Sequence, residues 1–541
     1  MKLNRITIIA AALITSLCLC SCAPLDALKG AGGTIAGFFS EEPEQTESTD
    51  NTAETGTETA VTNDITIGVY DFDTYDPLNT SSATVKDLCG FIFEPLFSLD
   101  SSMRTIPVLA DSYDVSTDGM SVTIYLKQGV LWHDGSEFTA NDVVYTINRI
   151  KSGTANYGGL MEPVVAAKAS DSYTVTVSFS RPVPDAASLF IFPIVKSGAQ
   201  FTNSRDDIPT GTGPFKMAGQ VSPDRYRLDA FDGHHDARAV LDCVYVSFIP
   251  DKEKFISLFN ASEINLANSD ILDMTSFMPK GNAQVQDFIS NNMTFLGFNT
   301  RIAKLSDPRT RQAISMLIDR ESIVTHIYFS RAEAAQYAIN PQSWLNFDTR
   351  DKLRADSAGA SMLLRDAGWE PNEDGIYSMQ QGGNTLTLRL EIIVNSDSLQ
   401  RVQTAEEIRD RLRTAGIDAY VTQCSYTEYT QRVGSGNFEL FIGETELLPN
   451  NDLTPLVGSA GNYFGYSNAE VDTLLAQMGT VKLESDIKAV SISLYEKVYE
   501  ESPFAPICFT KKCIVSSAKI KYGVNPSISG YVRETELWGV K

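Results

Sequence analysis

VTIYLKQGVLWHDGSEFTANDVVYTINRI, residues 122–150, contains two hydrophobic periods with a sharply punctuated switch between them. Val122, Ile124 and Leu126 alternate with Thr123, Tyr125 and Lys127, the pleat of a half-buried strand, so a strand is predicted to run to about Lys127. Gln128-Gly129 and Asp134-Gly135 then supply turn chemistry. Thr139, with Asp142 three residues later, makes a capping box ahead of Val143, Val144, Ile147 and Ile150, which predicts a helix from Ala140.

Outward from this stretch stand Asp76-Pro77, Phe93-Glu94-Pro95-Leu96-Phe97 and Pro107-Val108-Leu109-Ala110-Asp111 on one side, and Gly211-Thr212-Gly213-Pro214-Phe215 on the other. With Trp132-x-Asp134-Gly135 and in this order, they resemble the family 5 extracellular solute-binding proteins, the receptors for oligopeptides, dipeptides and nickel complexes in ATP-driven importers. The resemblance runs from about Asp64 to the C-terminus. It implies an α/β, two-lobed periplasmic-binding-protein-like fold (type II, cluster C). The first lobe would span 64–267 with a subdomain inserted at about 88–200, the second 268–506, and 507–541 would return to the first lobe. A crossing is expected at Glu263-Ile264-Asn265-Leu266-Ala267, which matches the family's Gly-Glu-Ile-Asp segment with Ser262 and Asn265 as changes, and a second after Pro506.

Phe295 to Thr300 and Asp307 to Arg320 repeat the family's strand, loop and helix, with Arg309, Arg311, Asp319 and Arg320 placed for ion pairs. Ser357 to Trp369 repeats its next helix. Leu386–Val394, Leu399–Ala415 and Ile417–Val421 alternate strand, helix, strand, which predicts a βαβ unit in the second lobe.

The resemblance also marks a cleft. Asn79, Thr80, Ser81 and Ser82 follow Asp76-Pro77 at its mouth, where their side chains can bond a solute or simply serve a turn and a helix cap. Tyr157 is a candidate aromatic contact, and Asn268, Ser269 and Asp270 fall where the family lines the cleft. Many peptide-binding members carry a Trp and then an Asp, which receives a peptide α-ammonium, after the strand that matches Phe438–Gly443. This sequence has Glu444, Thr445 and Glu446 there, with Asp452 further on. A carboxylate at that strand end would select a donor-rich or cationic group on the solute.

Met1 to Ser21 carries Lys2 and Arg5 ahead of an apolar run, as a secretory signal does. Leu19-Cys20-Ser21-Cys22 resembles a lipobox, which makes Cys22 the lipid-bearing first residue of the mature chain. The stretch from Glu41 to Asp64 holds eight acidic residues and no basic one, a composition that cannot bury enough apolar surface to fold, so 22–63 reads as a tether. The formal net charge is −24, and removal of Lys2 and Arg5 leaves 42 basic against 68 acidic residues, −26. That balance excludes nucleic acid as a partner.

Of the five cysteines after Cys22, Cys508 and Cys513 flank Phe-Thr-Lys-Lys, which leaves open a cross-hairpin bridge or buried free thiols. The four histidines, His133, His234, His235 and His326, are scattered. The adjacent pair would point apart on a strand, so no metal site is expected, and neither is a cofactor. Gly434-Ser435-Gly436 and Gly458-Ser459-Ala460-Gly461 lack the spacing of a hydrolase nucleophile, and no catalytic residue is assigned. The expectation is a monomeric lipoprotein on the outer side of the cell membrane that captures a peptide or peptide-like solute between hinged lobes and presents it to permease subunits. The alternatives are an oligosaccharide or metal-chelate solute, or a sensor or adhesin uncoupled from transport.

Overall fold

The computed structural model describes residues 63–270, 283–347, 353–522, 524–532, 534–535 and 538–540. The signal, Cys22 and all but the last residue of the acidic tether lie outside these.

The 122–150 stretch folds as its two periods require. Ser121–Leu126 is a strand that buries Val122, Ile124 and Leu126, and Ala140–Arg149 is a helix. The Thr139 backbone N–H and hydroxyl both donate to the Asp142 carboxylate (2.8 and 3.2 Å), whose other oxygen accepts the Ser197 N–H (2.8 Å). One oxygen thus closes the capping box while the other ties the helix start to a distant loop. The strand is the second of a four-stranded antiparallel sheet, ordered 110–115, 121–126, 174–179, 164–171, on which the helix lies.

This small sheet is clamped to the rest of the first lobe at His133. Its backbone N–H donates to the Gly211 carbonyl (2.9 Å), Nδ1 accepts the Gly211 N–H (3.3 Å), and Nε2–H donates to the Gly213 carbonyl (2.9 Å). Gly213 N–H in turn donates to the carbonyl of Ile92 at 2.9 Å. The approach is so close that a Cβ on Gly211 would sit 1.7 Å from that carbonyl oxygen, so the site demands glycine.

The main sheet is eleven-stranded. Across its width run 418–424, 389–395, 440–446, 284–298, 504–516, 266–270, 64–69, 243–248, 225–230 and 215–222. Arg389–Asn395 and Asp418–Cys424 pair in parallel through the Leu399–Thr414 helix, the expected βαβ unit. Leu266–Asp270 stays beside Asp64–Val69 on the first-lobe side, and it is Gln284–Phe298 that crosses, later than Ala267. Its partner in crossing is Phe504–Ser516, antiparallel to it along nearly its whole length. The pairing shifts register between Ile289 and Met293. There Ser290 donates to the Thr510 carbonyl (2.8 Å), and Asn340 donates to the Ser290 carbonyl (3.1 Å) and to Asn291 Oδ1 (2.8 Å). Buried side chains thus satisfy the backbone that the irregularity releases.

The first-lobe core runs from Ile65 through Trp132, Phe190 and Phe215 to Trp538. The second lobe has a core on each face of its sheet, one holding Leu296, Ile314, Trp369 and Ile392, the other Phe295, Phe441, Phe464 and Phe504. Phe295 and Leu296 point to opposite faces, as neighbours on a strand buried on both sides must.

One open alternative is decided and one expectation is corrected. Cys508 and Cys513 lie on one continuous strand, not across a hairpin. Five residues of strand separate their Cα atoms by roughly 16 Å and put the side chains on opposite faces, whereas a disulfide needs Cα atoms within about 7 Å. Both are buried free thiols, as are Cys89, Cys243 and Cys424. Arg309 pairs with Asp307 (2.6 Å), and Asp319 pairs with Arg411 (3.3 Å), but Arg311 and Arg320 form no ion pair among the described residues. Arg311 donates to the carbonyls of Leu305, Ser306, Glu501 and Ser502, closing the end of the Glu484–Glu501 helix. Arg320 donates to the carbonyls of Ala335, Pro506, Ser315 and Ile318 and to the Ser315 hydroxyl.

Burial pulls the His133 pKa down to about 4, and the neutral ring is the form that both donates and accepts in the clamp. Below the unfolded value near 6.5 the unfolded chain takes a proton that the folded chain refuses, so stability is full above that value and falls as pH drops towards 4. His133→Gln removes the titration. Urea unfolding at pH 7 and pH 4.5 should show the wild-type chain losing on the order of 2 kcal/mol more than the variant over that interval. Equal losses in the two proteins would show that His133 does not carry the effect.

Candidate functional site

On the first-lobe side, the polar loop is largely self-contained. Asp73 accepts from Thr80 Oγ1 (2.6 Å) and from the N–H and Oγ of Ser81 (2.7 and 3.0 Å). Ser82 caps the Ala83–Ile92 helix, accepting from Val85 N–H and donating to the Tyr70 carbonyl. Thr80, Ser81 and Ser82 therefore spend their bonds on the loop and the cap. Asn79 differs: Nδ2 donates to Asp76 (2.7 Å), while its buried Oδ1 has no hydrogen-bond partner among the described residues. Asn156 donates from Nδ2 to the Thr80 carbonyl (2.7 Å) and from its backbone N–H to that of Leu78 (2.9 Å), which fastens the Tyr157 loop to this one. Asn268 donates to Asp87 (3.3 Å), whose carboxyl burial pushes up to about 7. The backbone of Ser269 and Asp270 pairs with Cys513 and Lys512 of the second crossing strand.

On the second-lobe side, Glu444, Thr445 and Glu446 end the Leu440–Glu446 strand opposite Thr294, Met293 and Asn292. The period of two puts both glutamates on one face and Thr445 on the other. Arg401, at the start of the Leu399–Thr414 helix, donates to Glu444 at 2.9 Å. Glu446 makes no side-chain hydrogen bond or ion pair among the described residues and is exposed. Its charge reaches across to the first lobe: the Tyr157 phenol is pushed up to about 12, by burial first, with smaller contributions from Cys89 and Glu446. Tyr157 and Glu446, expected from separate motifs, are near enough for the charge of one to bear on the other, whereas Asn268 is tied to Asp87 and Glu444 to Arg401.

Asp452 is taken. Its carboxylate, 2% exposed, accepts from Arg181 of the first lobe at 2.5 Å and from the Thr454 N–H at 2.9 Å. Arg181 also holds Glu162 (2.9 Å). Nearby, Arg104 pairs with Glu484 (2.9 Å) and lies over the Trp344 ring (4.4 Å), and Lys482 donates to the Val115 carbonyl (2.7 Å). Between these cross-lobe contacts lies a cavity of about 450 Å³ lined by Arg104, Tyr113 and Asp185 from one side and Trp344, Asn450 and Lys482 from the other. None of the residues expected from the sequence lines it. Asn450 Nδ2 is buried there without a hydrogen-bond partner among the described residues. Sequence reasoning missed this group because its members come from five separate segments, although a Trp in a polar loop, one of four in the chain, was an available signal.

The expected divergence of His234 and His235 is also corrected. They sit in a turn between the Arg225–Ala230 and Cys243–Phe248 strands, with rings 4.5 Å apart, and both direct Nε2 at Glu94. A turn, unlike a strand, lets adjacent side chains converge, so these three residues form a cluster with the composition of a metal site.

Residues 104–463 match the model of the bacterial extracellular solute-binding proteins, family 5. Among curated relatives, the oligopeptide-binding protein AppA of Bacillus subtilis is 23% identical over 455 residues, 80% of this chain and 83% of its own length. The heme-binding protein A of Haemophilus influenzae is 24% identical over 472 residues, 79% and 81% of the two chains. Among solved structures, HbpA2 from Haemophilus parasuis superposes with a TM-score of 0.75 at 19% identity, covering 88% of this chain and 100% of that one. With the match spanning well over half the chain, and with the two-lobed α/β fold in place, this protein belongs to family 5 of the bacterial extracellular solute-binding proteins.

Proposed function

We propose that the chain is the lipid-anchored receptor of an ATP-driven importer, taking a peptide or peptide-like solute between its lobes and delivering it to the permease subunits. This reading is supported by Glu446, an exposed carboxylate at a second-lobe strand end with no side-chain partner among the described residues, whose charge contributes to raising the Tyr157 phenol. Closure around a solute would partly desolvate that carboxylate and favour a donor-rich or cationic group against it, with the phenol ring packed alongside. Asn79, whose buried Oδ1 has no hydrogen-bond partner among the described residues, supplies a further acceptor from the first lobe. The likeness to an oligopeptide-binding relative supports a peptide as the solute class.

A non-peptide solute is the second reading, and the Arg181–Asp452 pair favours it. The displaced acid, the natural receiver of an α-ammonium, is held by a guanidinium, and one relative is a heme-binding protein.

Mass spectrometry of the solute that co-purifies with the chain separates these readings, and calorimetry with that solute tests the site. Glu446→Ala should weaken binding by about 2 to 5 kcal/mol, the cost of removing one partner of a desolvated charge pair. Glu444→Ala, which breaks a partly exposed pair with Arg401, should change it by less than about 1 kcal/mol. Unchanged affinity in both variants would remove this strand end from the site. The anchor is tested separately: Cys22→Ala should move the protein from the membrane fraction to the soluble exported fraction, and retention at the membrane would refute the assignment.

A further inference from the structure

Glu94 follows the Ala83–Ile92 helix, and His234 and His235 occupy the turn before the Cys243–Phe248 strand, so the first lobe's fold alone brings them together. His234 Nε2 is 3.1 Å from Glu94 Oε1, and His235 Nε2 is 3.2 Å from each Glu94 oxygen. The three donor atoms all lie within 4.8 Å of one another. Around a tetrahedral ion with bonds of about 2.0 to 2.1 Å, neighbouring ligand atoms stand about 3.3 Å apart, so the two N–O separations already fit. The side chains are only 5 to 11% exposed, which leaves a nearly dry pocket.

One of the two imidazoles, His235, has the outer carboxylate contact of a metal-binding histidine. His235 Nδ1 lies 3.4 Å from Asp236 Oδ1, while His234 Nδ1 is buried without a hydrogen-bond partner among the described residues. The carboxylate beside His235 favours a proton on its Nδ1 and leaves the Nε2 lone pair for an ion. Lys127 stands 3.5 Å from His235 Nδ1, and its charge is matched by Asp236 at 3.3 Å.

We propose that Glu94, His234 and His235 bind one divalent cation of the zinc class, with water completing its coordination. Two imidazoles and one carboxylate select such an ion over calcium or magnesium, which take oxygen ligands. The ion takes the place of the Nε2 protons that otherwise point at Glu94, and it staples the segment after the first helix to the turn between two strands of the main sheet. All three ligands belong to one lobe, so the site is separate from the Tyr157–Glu446 pair and its test does not depend on the solute.

The full-length chain, stripped with chelator and dialysed against micromolar zinc, should retain one equivalent by elemental analysis. Cobalt should give the intense visible absorption of a tetrahedral N/O site. His234→Asn with His235→Asn should abolish retention, and Asp236→Asn, which removes an outer partner, should weaken it by about 10- to 100-fold. No retained zinc together with no cobalt band would overturn the proposal, as would an unchanged equivalent in a double variant with native circular dichroism. If that variant does not fold, the cobalt spectrum of the unaltered chain decides, because a six-coordinate or absent band contradicts this donor set.

Discussion

The antiparallel pairing of Gln284–Phe298 with Phe504–Ser516 is the constraint on which everything else hangs. Each strand supplies one half to each lobe, so the two lobes share a single hydrogen-bonded sheet rather than meeting through a linker. A continuous ladder resists bending, and the register shift between Ile289 and Met293 relieves it at the crossing. Motion of the lobes can then concentrate at one place. Arg320 stiffens the second-lobe side, its guanidinium gathering four carbonyls that include that of Pro506 in the crossing strand.

Local chemistry made much of this legible from the sequence. Val122 to Ile150 announces its own strand, turn and cap because period two, Asp-Gly turns and Thr139–Asp142 act over a few residues. Gly211 and Gly213 stand out in a motif that carries the resemblance, although their reason, backbone contact with Ile92 and His133, is tertiary. Where expectation and structure part, the cause is consistently long-range. The Phe-Thr-Lys-Lys run leaves a hairpin open in sequence, yet pairing on both sides keeps Cys508 to Cys513 in one strand. His234 and His235 converge because Glu94, about 140 residues earlier, gives both a shared acceptor. Arg311 and Arg320 find carbonyls rather than carboxylates because burial rewards saturating all five donors, and helix ends offer many acceptors.

The cleft shows the same division. Polar residues at Asn79 to Ser82 could be located but not apportioned, since the choice between solute and cap depends on Asp73 and Tyr70 lying within reach. The Glu444 and Glu446 positions look equivalent in sequence and are separated only by Arg401, which neutralises one and leaves the other. Arg181 and Asp452, 271 residues apart, carry no local sign of each other.

The core of the first lobe includes Ile514, Ile520, Tyr531 and Trp538, and the Trp538 ring meets Phe91 edge-on at 5.8 Å. This joins the last residues of the chain to a lobe begun at residue 64, and the consequence is one of timing. A chain that emerges N-terminus first leaves the apolar surface around Phe91 and Phe215 uncovered through synthesis of the entire second lobe. The second lobe, whose cores draw on residues 289–509, can close earlier. The portion made first is therefore completed last.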